Sequence, residues 1–84
     1  MTNKETLKKQ IIYRSSHRGS KEMDLLLGNF VRKNIDFFSD SELKDLDNLV
    51  KIEDEILARW YFKKDNKKLV PYNKITKMLK KFKL

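Results

Sequence analysis

The apolar residues of this chain recur at intervals of three and four positions, which is the spacing of one face of an α-helix. Leu7, Ile11 and Ile12 predict a first helix that ends near Ser16. The second helix is predicted by a longer apolar stripe, formed by Met23, Leu26, Leu27, Phe30 and Val31. Gly28 interrupts this stripe at a penalty of about 1 kcal/mol relative to alanine, which we interpret as a sign of close contact with another helix.

The third and fourth helices are indicated by their first turns. Ser39 and Glu42 have the spacing of a capping box, so the third helix is expected to begin at Asp40. The acidic residues 53–55 are typical of another helix N-terminus. Because the apolar stripe changes phase just before this acidic turn, we predict two separate helices. The buried face of the fourth helix is predicted to consist of Ile56, Leu57, Trp60 and Tyr61.

The remainder of the chain predicts a polar loop and a fifth helix. The loop is expected over residues 64–71, which are mostly polar and end in the single proline. The apolar face of the fifth helix is predicted from Tyr72, Ile75, Met78, Leu79 and Phe82. We therefore predict an all-α fold, a compact bundle of about five short helices that forms a single helical domain over residues 1–84.

The composition argues against an enzyme. The chain has no cysteine, which excludes disulfides and thiolate chemistry, and its only histidine is His17, so no His-rich metal site and no histidine–cysteine pair can form. Two glycines are too few for a phosphate-binding loop. We therefore predict no catalytic residues and no metal site. No apolar run approaches the ~20 residues of a membrane span, so no membrane insertion is expected.

The net charge of +8 suggests an anionic partner, which could be nucleic acid, an acidic protein surface or a membrane. Sixteen of the twenty basic residues are lysine, whereas sites that read bases or clamp phosphates favour the planar fork of arginine. A small basic nucleic-acid-binding module therefore remains an alternative hypothesis, and nucleic acid is not the expected partner. The lysine-rich fifth helix is interpreted as a lid over the core.

The segment between the first two helices concentrates unusual chemistry, because Arg18, Gly19 and Glu22 stand together at the start of the second helix. One interpretation is purely local: Gly19 makes the turn, Glu22 opposes the helix dipole and Arg18 is solvated. The other is that the guanidinium and the carboxylate are both presented to a docking protein, with Gly19 allowing the partner's backbone to come close. The pattern alone leaves both interpretations open.

Two blocks of the sequence resemble a known family. Residues 13–28, YRSSHRGSKEMDLLLG, resemble the RGxxE signature region of the succinate dehydrogenase flavinylation assembly factors. Residues 49–60, LVKIEDEILARW, are similar to a second block of that family, in which an acidic turn precedes a helix that carries a tryptophan. Length and helix order also fit, so the resemblance covers nearly the whole chain. Ser20 stands where the family usually has methionine.

The resemblance implies a small chaperone-like assembly factor that binds the flavoprotein subunit of succinate dehydrogenase, with fumarate reductase as a second candidate. It would promote covalent attachment of FAD to a histidine of that subunit. FAD would remain the partner's cofactor, and this chain would bind no cofactor stably. Arg18, Gly19 and Glu22 map onto the signature as partner-binding residues, with His17 and Asp24 as flanking contacts. The chain would act as a monomer, in a bacterial cytoplasm or, as a processed organellar protein, in the mitochondrial matrix.

Overall fold

A computed structural model describes residues 3–63 and 70–83. Its elements are α1 (Asn3–Ser16), α2 (Lys21–Asn34), a 3-10 turn (Ile35–Phe37), α3 (Asp40–Val50), α4 (Asp54–Phe62) and α5 (Lys74–Lys81). The described ranges contain five α-helices and no strand, which confirms the predicted all-α class. The predicted loop at 64–71 lies almost entirely outside the described residues.

The predicted start of α3 and the break before α4 are both confirmed. The Glu42 amide donates to Ser39 Oγ at 3.3 Å, and the Ser39 amide donates to Glu42 Oε1 at 2.9 Å, so the capping box closes in both directions. Helix α3 ends at Val50, and α4 begins at Asp54 after a short irregular segment. The change of phase in the apolar stripe therefore marks a real break, because one straight helix could not bury both stripes.

Helix α2 lies at the centre of the core, packed against α1, and α1 in turn packs against α3. Its predicted stripe is fully buried, as are the apolar residues that face it. The side chains at no more than 1% exposure are Ile11, Met23, Leu26, Leu27, Phe30, Val31, Leu43, Leu46, Leu49, Leu57, Ile75 and Leu79. Helix α5 covers α3 from one side, so the predicted lid over the core is observed.

Two details of the predicted elements are wrong. Tyr72 is 82% exposed and precedes α5, because the helix starts with an Asn73–Thr76 capping box that the apolar pattern alone does not reveal. Gly28 does not face another helix: a Cβ placed there would find the guanidinium of Arg32, in the same helix, as its nearest neighbour at 3.4 Å.

None of the helices in residues 3–63 and 70–83 combines the length and the apolar character that crossing a bilayer requires. Several large apolar side chains nevertheless reach the surface, among them Tyr13 at the end of α1 and Leu25 on the outer face of α2. Both lie close in sequence to the α1–α2 junction, where the candidate signature residues are found.

Candidate functional site

The α1–α2 junction is a tight connection of four residues, 17–20, between two packed helices. His17 closes α1: its Nδ1 lies 2.8 Å from the carbonyl oxygen of Tyr13, and its ring stacks on the Tyr13 ring with centroids 4.0 Å apart. Both side chains are exposed. His17 therefore presents a stacked aromatic surface beside the junction while it satisfies a carbonyl in the last turn of α1.

Arg18 turns inward, and its side chain is only 8% exposed. Its Nε atom donates to Asp54 Oδ1 at 2.5 Å, and its two terminal nitrogens donate to the backbone carbonyls of Val50 and Ile52. Val50 is the last residue of α3, where unpaired acceptors and the helix dipole favour a cation, and Ile52 lies in the segment between α3 and α4. The expected presentation of this guanidinium to a partner is therefore wrong, because the end of α3 and Asp54 occupy it.

Two carboxylates hold the backbone on either side of Gly19. The Arg18 amide donates to Asp24 Oδ1 at 2.6 Å, and the Ser20 amide donates to Asp54 Oδ2 at 2.9 Å. Each bond has an ionised acceptor, the kind that is shorter and stronger than a neutral hydrogen bond. Asp24 on α2 thus fixes the peptide unit between His17 and Arg18, and Asp54 on α4 fixes the unit between Gly19 and Ser20. Asp24, predicted as a flanking partner contact, is bound to the chain's own backbone here.

Gly19 itself is exposed, and no internal contact requires a glycine there. A Cβ built at this position would meet Asp54 Oδ2 at 3.7 Å, an ordinary van der Waals distance. Its backbone also lies outside the left-handed region that disfavours other residues. The turn could therefore accommodate a residue with a side chain at position 19. The interpretation that Gly19 serves only to make the turn does not explain why a glycine stands here.

Glu22 points outward from the first turn of α2. It is exposed, and it accepts a hydrogen bond from Ser20 Oγ at 2.9 Å. Its own backbone N–H and the Ser20 hydroxyl both lower the pKa of this carboxyl below its ordinary value, so it remains ionised through the neutral range. Ser20 is also the N-cap of α2, where its hydroxyl accepts from the Met23 amide at 3.4 Å.

A shallow depression of about 370 Å³ adjoins these groups. The α1 end of its wall is made by Tyr13, Arg14, His17 and Gly19, and the opposite wall by residues 50–54. The site thus combines an exposed glycine, an exposed stacked ring pair and, in the first turn of α2, the exposed carboxylate of Glu22. In the described ranges, no three histidine, aspartate or glutamate side chains are grouped so that they could hold a metal ion.

Sequence reasoning identified the residues of the junction but missed Asp54. This carboxylate binds both the Arg18 side chain and the Ser20 backbone. The acidic residues 53–55 were interpreted as a helix N-terminus, which is correct for Asp54 because it is the first residue of α4. Nothing in the spacing along the chain indicates that the same carboxylate also reaches the α1–α2 junction.

Comparison with known proteins gives one family. A sequence model of the family described as flavinator of succinate dehydrogenase matches residues 9–83. The chain is 34% identical over 74 residues to the FAD assembly factor SdhE of Acetobacter pasteurianus, covering 88% of this chain and 65% of the relative. It is 40% identical over 60 residues to the mitochondrial succinate dehydrogenase assembly factor 2 of Dictyostelium discoideum, covering 71% of this chain and 43% of the relative.

A third relative is matched along most of its length. This is the FAD assembly factor SdhE of Wigglesworthia glossinidia brevipalpis, 32% identical over 76 residues, with 87% of each protein covered. The chain spans less than two thirds of the first two relatives. No solved structure shows a significant match to the chain.

Proposed function

The chain belongs to the family of flavinators of succinate dehydrogenase, and we propose that it is a non-enzymatic assembly factor that binds the flavoprotein subunit of that enzyme and promotes covalent attachment of FAD to it. Fumarate reductase is a second candidate for the partner enzyme. The FAD and the residue to which it becomes attached both belong to the partner. This chain binds no cofactor of its own and contributes by holding the partner in a reactive arrangement.

The observation that carries this proposal is the surface around Gly19. The glycine is exposed, the Arg18 and Ser20 amides on either side of it are bound by Asp24 and Asp54, and its own conformation does not require a glycine. A backbone that is already rigid loses little conformational entropy when a partner docks on it. The missing side chain allows the partner's main chain to approach closely.

The charged residues of the signature have different roles in this proposal. Arg18 is a positioning residue, because its guanidinium is occupied by Asp54 and by the end of α3. Glu22 is a direct contact, since its carboxylate is exposed and remains ionised. His17 is a second direct contact through its exposed ring. Asp24 acts with Arg18 in shaping the turn.

The protein acts as a monomer in a reducing compartment. The absence of cysteine is compatible with such a compartment. Relatives are found both among bacterial FAD assembly factors and among mitochondrial assembly factors. We therefore place the activity in a bacterial cytoplasm or in the mitochondrial matrix.

The test is co-expression of the cognate flavoprotein subunit with and without this chain. Covalently bound flavin stays on the polypeptide in a denaturing gel, where its fluorescence is measured against total flavoprotein. We expect a strong increase in fluorescence when the chain is present. Equal fluorescence in both samples would contradict the proposal.

A pair of variants makes the assay specific to the site. Glu22→Gln keeps the shape of an exposed side chain in the first turn of α2 but removes its charge, and we expect it to reduce flavin attachment. Lys44→Gln removes a charge from an exposed position on α3 and should leave attachment unchanged. A similar loss in both variants would show that the effect does not belong to the α1–α2 junction.

A further inference from the structure

The net positive charge of the chain comes entirely from its C-terminal quarter. Residues 1–62 contain eleven basic and eleven acidic residues, so this part is neutral. Residues 63–84 contain nine lysines, one aspartate and no arginine, so this part carries the entire net charge of +8. Such asymmetry within one small protein indicates a partner with a negative surface.

Most of the negative charges in the middle of the chain are paired within the fold. Eight acidic residues lie between 36 and 55, and six of them form ion pairs. These six are Asp36, Asp40, Glu42, Asp47, Asp54 and Glu55. A second copy of the chain therefore offers little unpaired negative surface to the C-terminal lysines, and the complementary partner is a different molecule.

Three lysines in and just after α5 are in the opposite situation. Lys74 pairs with Glu42 at 2.7 Å, but no carboxylate in the described ranges forms an ion pair with Lys77, Lys81 or Lys83. Lys77 and Lys81 are exposed and four positions apart on α5, and Lys83 is exposed just after the helix ends. An anion bound close to Lys77 and Lys81 would relieve the repulsion between their ammonium groups.

A groove of about 460 Å³ lies next to these lysines, and we call it the α5 groove. It is lined by Tyr72, Asn73, Lys74, Lys77, Met78 and Lys81. Tyr72 is 82% exposed, and the Lys77 ammonium lies 5.4 Å from the centre of its ring. The groove therefore offers an apolar floor, made by a ring and a thioether, with ammonium groups beside it.

We propose that the α5 groove binds an acidic, extended segment of another protein, whose carboxylates pair with Lys77 and Lys81 while an apolar side chain rests on Tyr72 and Met78. The Lys74–Glu42 pair already shows a carboxylate bound at the edge of this groove. Lysine pairs with such a carboxylate as a compact point charge.

Two other anionic partners fit the structure less well. A membrane-surface helix needs an exposed apolar face, whereas Ile75 and Leu79 of α5 are fully buried in the core. Proteins that stack the bases of single-stranded nucleic acid use several aromatic side chains along a basic groove, whereas the α5 groove is lined by one ring, that of Tyr72. The remaining apolar surface of the groove is suited to one aliphatic side chain.

The experiment measures binding of a fluorescein-labelled glutamate-rich peptide with one central leucine to the whole chain by fluorescence anisotropy. It needs no flavoprotein, so its outcome is independent of the proposed function. We expect binding that weakens as salt is added. Lys77→Gln/Lys81→Gln should weaken it roughly tenfold, as expected when two partly screened ion pairs are lost.

The matched control is Lys21→Gln/Lys44→Gln, which removes the same charge from exposed positions on α2 and α3. We expect less than about a twofold change for this variant, since screening weakens charges that lie far from the groove. An equal loss in both double variants would overturn the proposal, because binding would then report net charge alone. Circular dichroism checks that both variants keep the helical content of the parent.

Competing ligands provide the decisive comparison. The same anisotropy assay is run with a fluorescein-labelled thymidine oligonucleotide, and vesicles of phosphatidylserine and phosphatidylcholine are tested by co-sedimentation. The proposal requires the peptide to bind more tightly than either, and Tyr72→Ser to weaken the peptide. Tighter binding of the oligonucleotide or of the vesicles would overturn it in favour of that partner.

Discussion

The Nε atom of Arg18 lies 2.5 Å from Oδ1 of Asp54, although the two residues are 36 positions apart in the chain. The pair connects the α1–α2 junction to the first residue of α4, and the same guanidinium also binds the carbonyls at the end of α3. One side chain of the signature therefore holds three helix ends together. Its contribution to docking is indirect, through the shape that it gives to the exposed turn.

The first prediction concerns the stability of this junction. Arg18→Ala should lower the free energy of unfolding by about 3 kcal/mol, because it leaves Asp54 and two carbonyls without their donor. Urea unfolding followed by circular dichroism measures this change. Arg32→Ala, at an exposed position on α2, is the control and should change stability by less than about 0.5 kcal/mol. Equal effects would mean that Arg18 has no special structural role.

The second prediction tests whether the two carboxylates that bind the turn, Asp24 and Asp54, act independently. Asp54→Ala should speed hydrogen exchange at the Ser20 amide, and Asp24→Ala should speed it at the Arg18 amide, because each variant removes the acceptor of that N–H. Exchange measured by NMR on each variant serves as the control for the other. If both amides respond equally to either change, the turn is a single unit and the two carboxylates are not independent.

The third prediction tests whether Gly19 is needed for folding or for docking. Gly19→Ala and Gly19→Gln should both leave thermal stability close to that of the parent, since a Cβ at this position has room. Flavin attachment to the partner should be retained in part by alanine and lost with glutamine, because the longer side chain occupies the space that the partner's backbone needs. Loss of stability in both variants would contradict this separation.

The fourth prediction concerns pH. The Lys74 ammonium, together with the Ser39 amide and hydroxyl, lowers the pKa of Glu42 to about 2. A lowered pKa in the folded state means that the ionised carboxyl stabilises the protein above its unfolded pKa, near 4.5, and that this contribution disappears as the pH falls toward about 2.

Glu42→Gln should therefore be less stable than the parent at neutral pH, and the difference should shrink between about pH 4.5 and pH 2. Urea unfolding of both proteins across this range measures the difference. Glutamine still fits a capping box, so the cap itself is retained in the variant. A difference that stays constant with pH would show that the charge of Glu42 does not contribute.

The fifth prediction uses Gly28. Its backbone is helical and buried, and a Cβ there would meet only the flexible end of Arg32 at 3.4 Å. Gly28→Ala should therefore stabilise the protein by about 0.5–1 kcal/mol through the higher helix propensity of alanine. Chemical denaturation measures the gain. A loss of stability would show that Arg32 cannot move aside.

The helices and their ends are determined by residues that lie close to one another in the sequence. The apolar stripe of α2 and the Ser39–Glu42 capping box both involve residues within a few positions of one another. Both can therefore be identified from the sequence alone. The same kind of signal exists for α5, where Asn73 and Thr76 form a second box. Tyr72 was misplaced because its apolar character agreed with the helical period while its position lay before the cap.

By itself, the sequence determined that the protein is helical, where its caps lie, and that Arg18, Gly19 and Glu22 stand at the entrance of α2. Only the tertiary structure decided that the guanidinium faces inward and the carboxylate outward. The direction of Arg18 depends on Asp54 and on the carbonyls at the end of α3, all more than 30 positions away. Contacts at that distance arise from helix packing, which no spacing along the chain encodes.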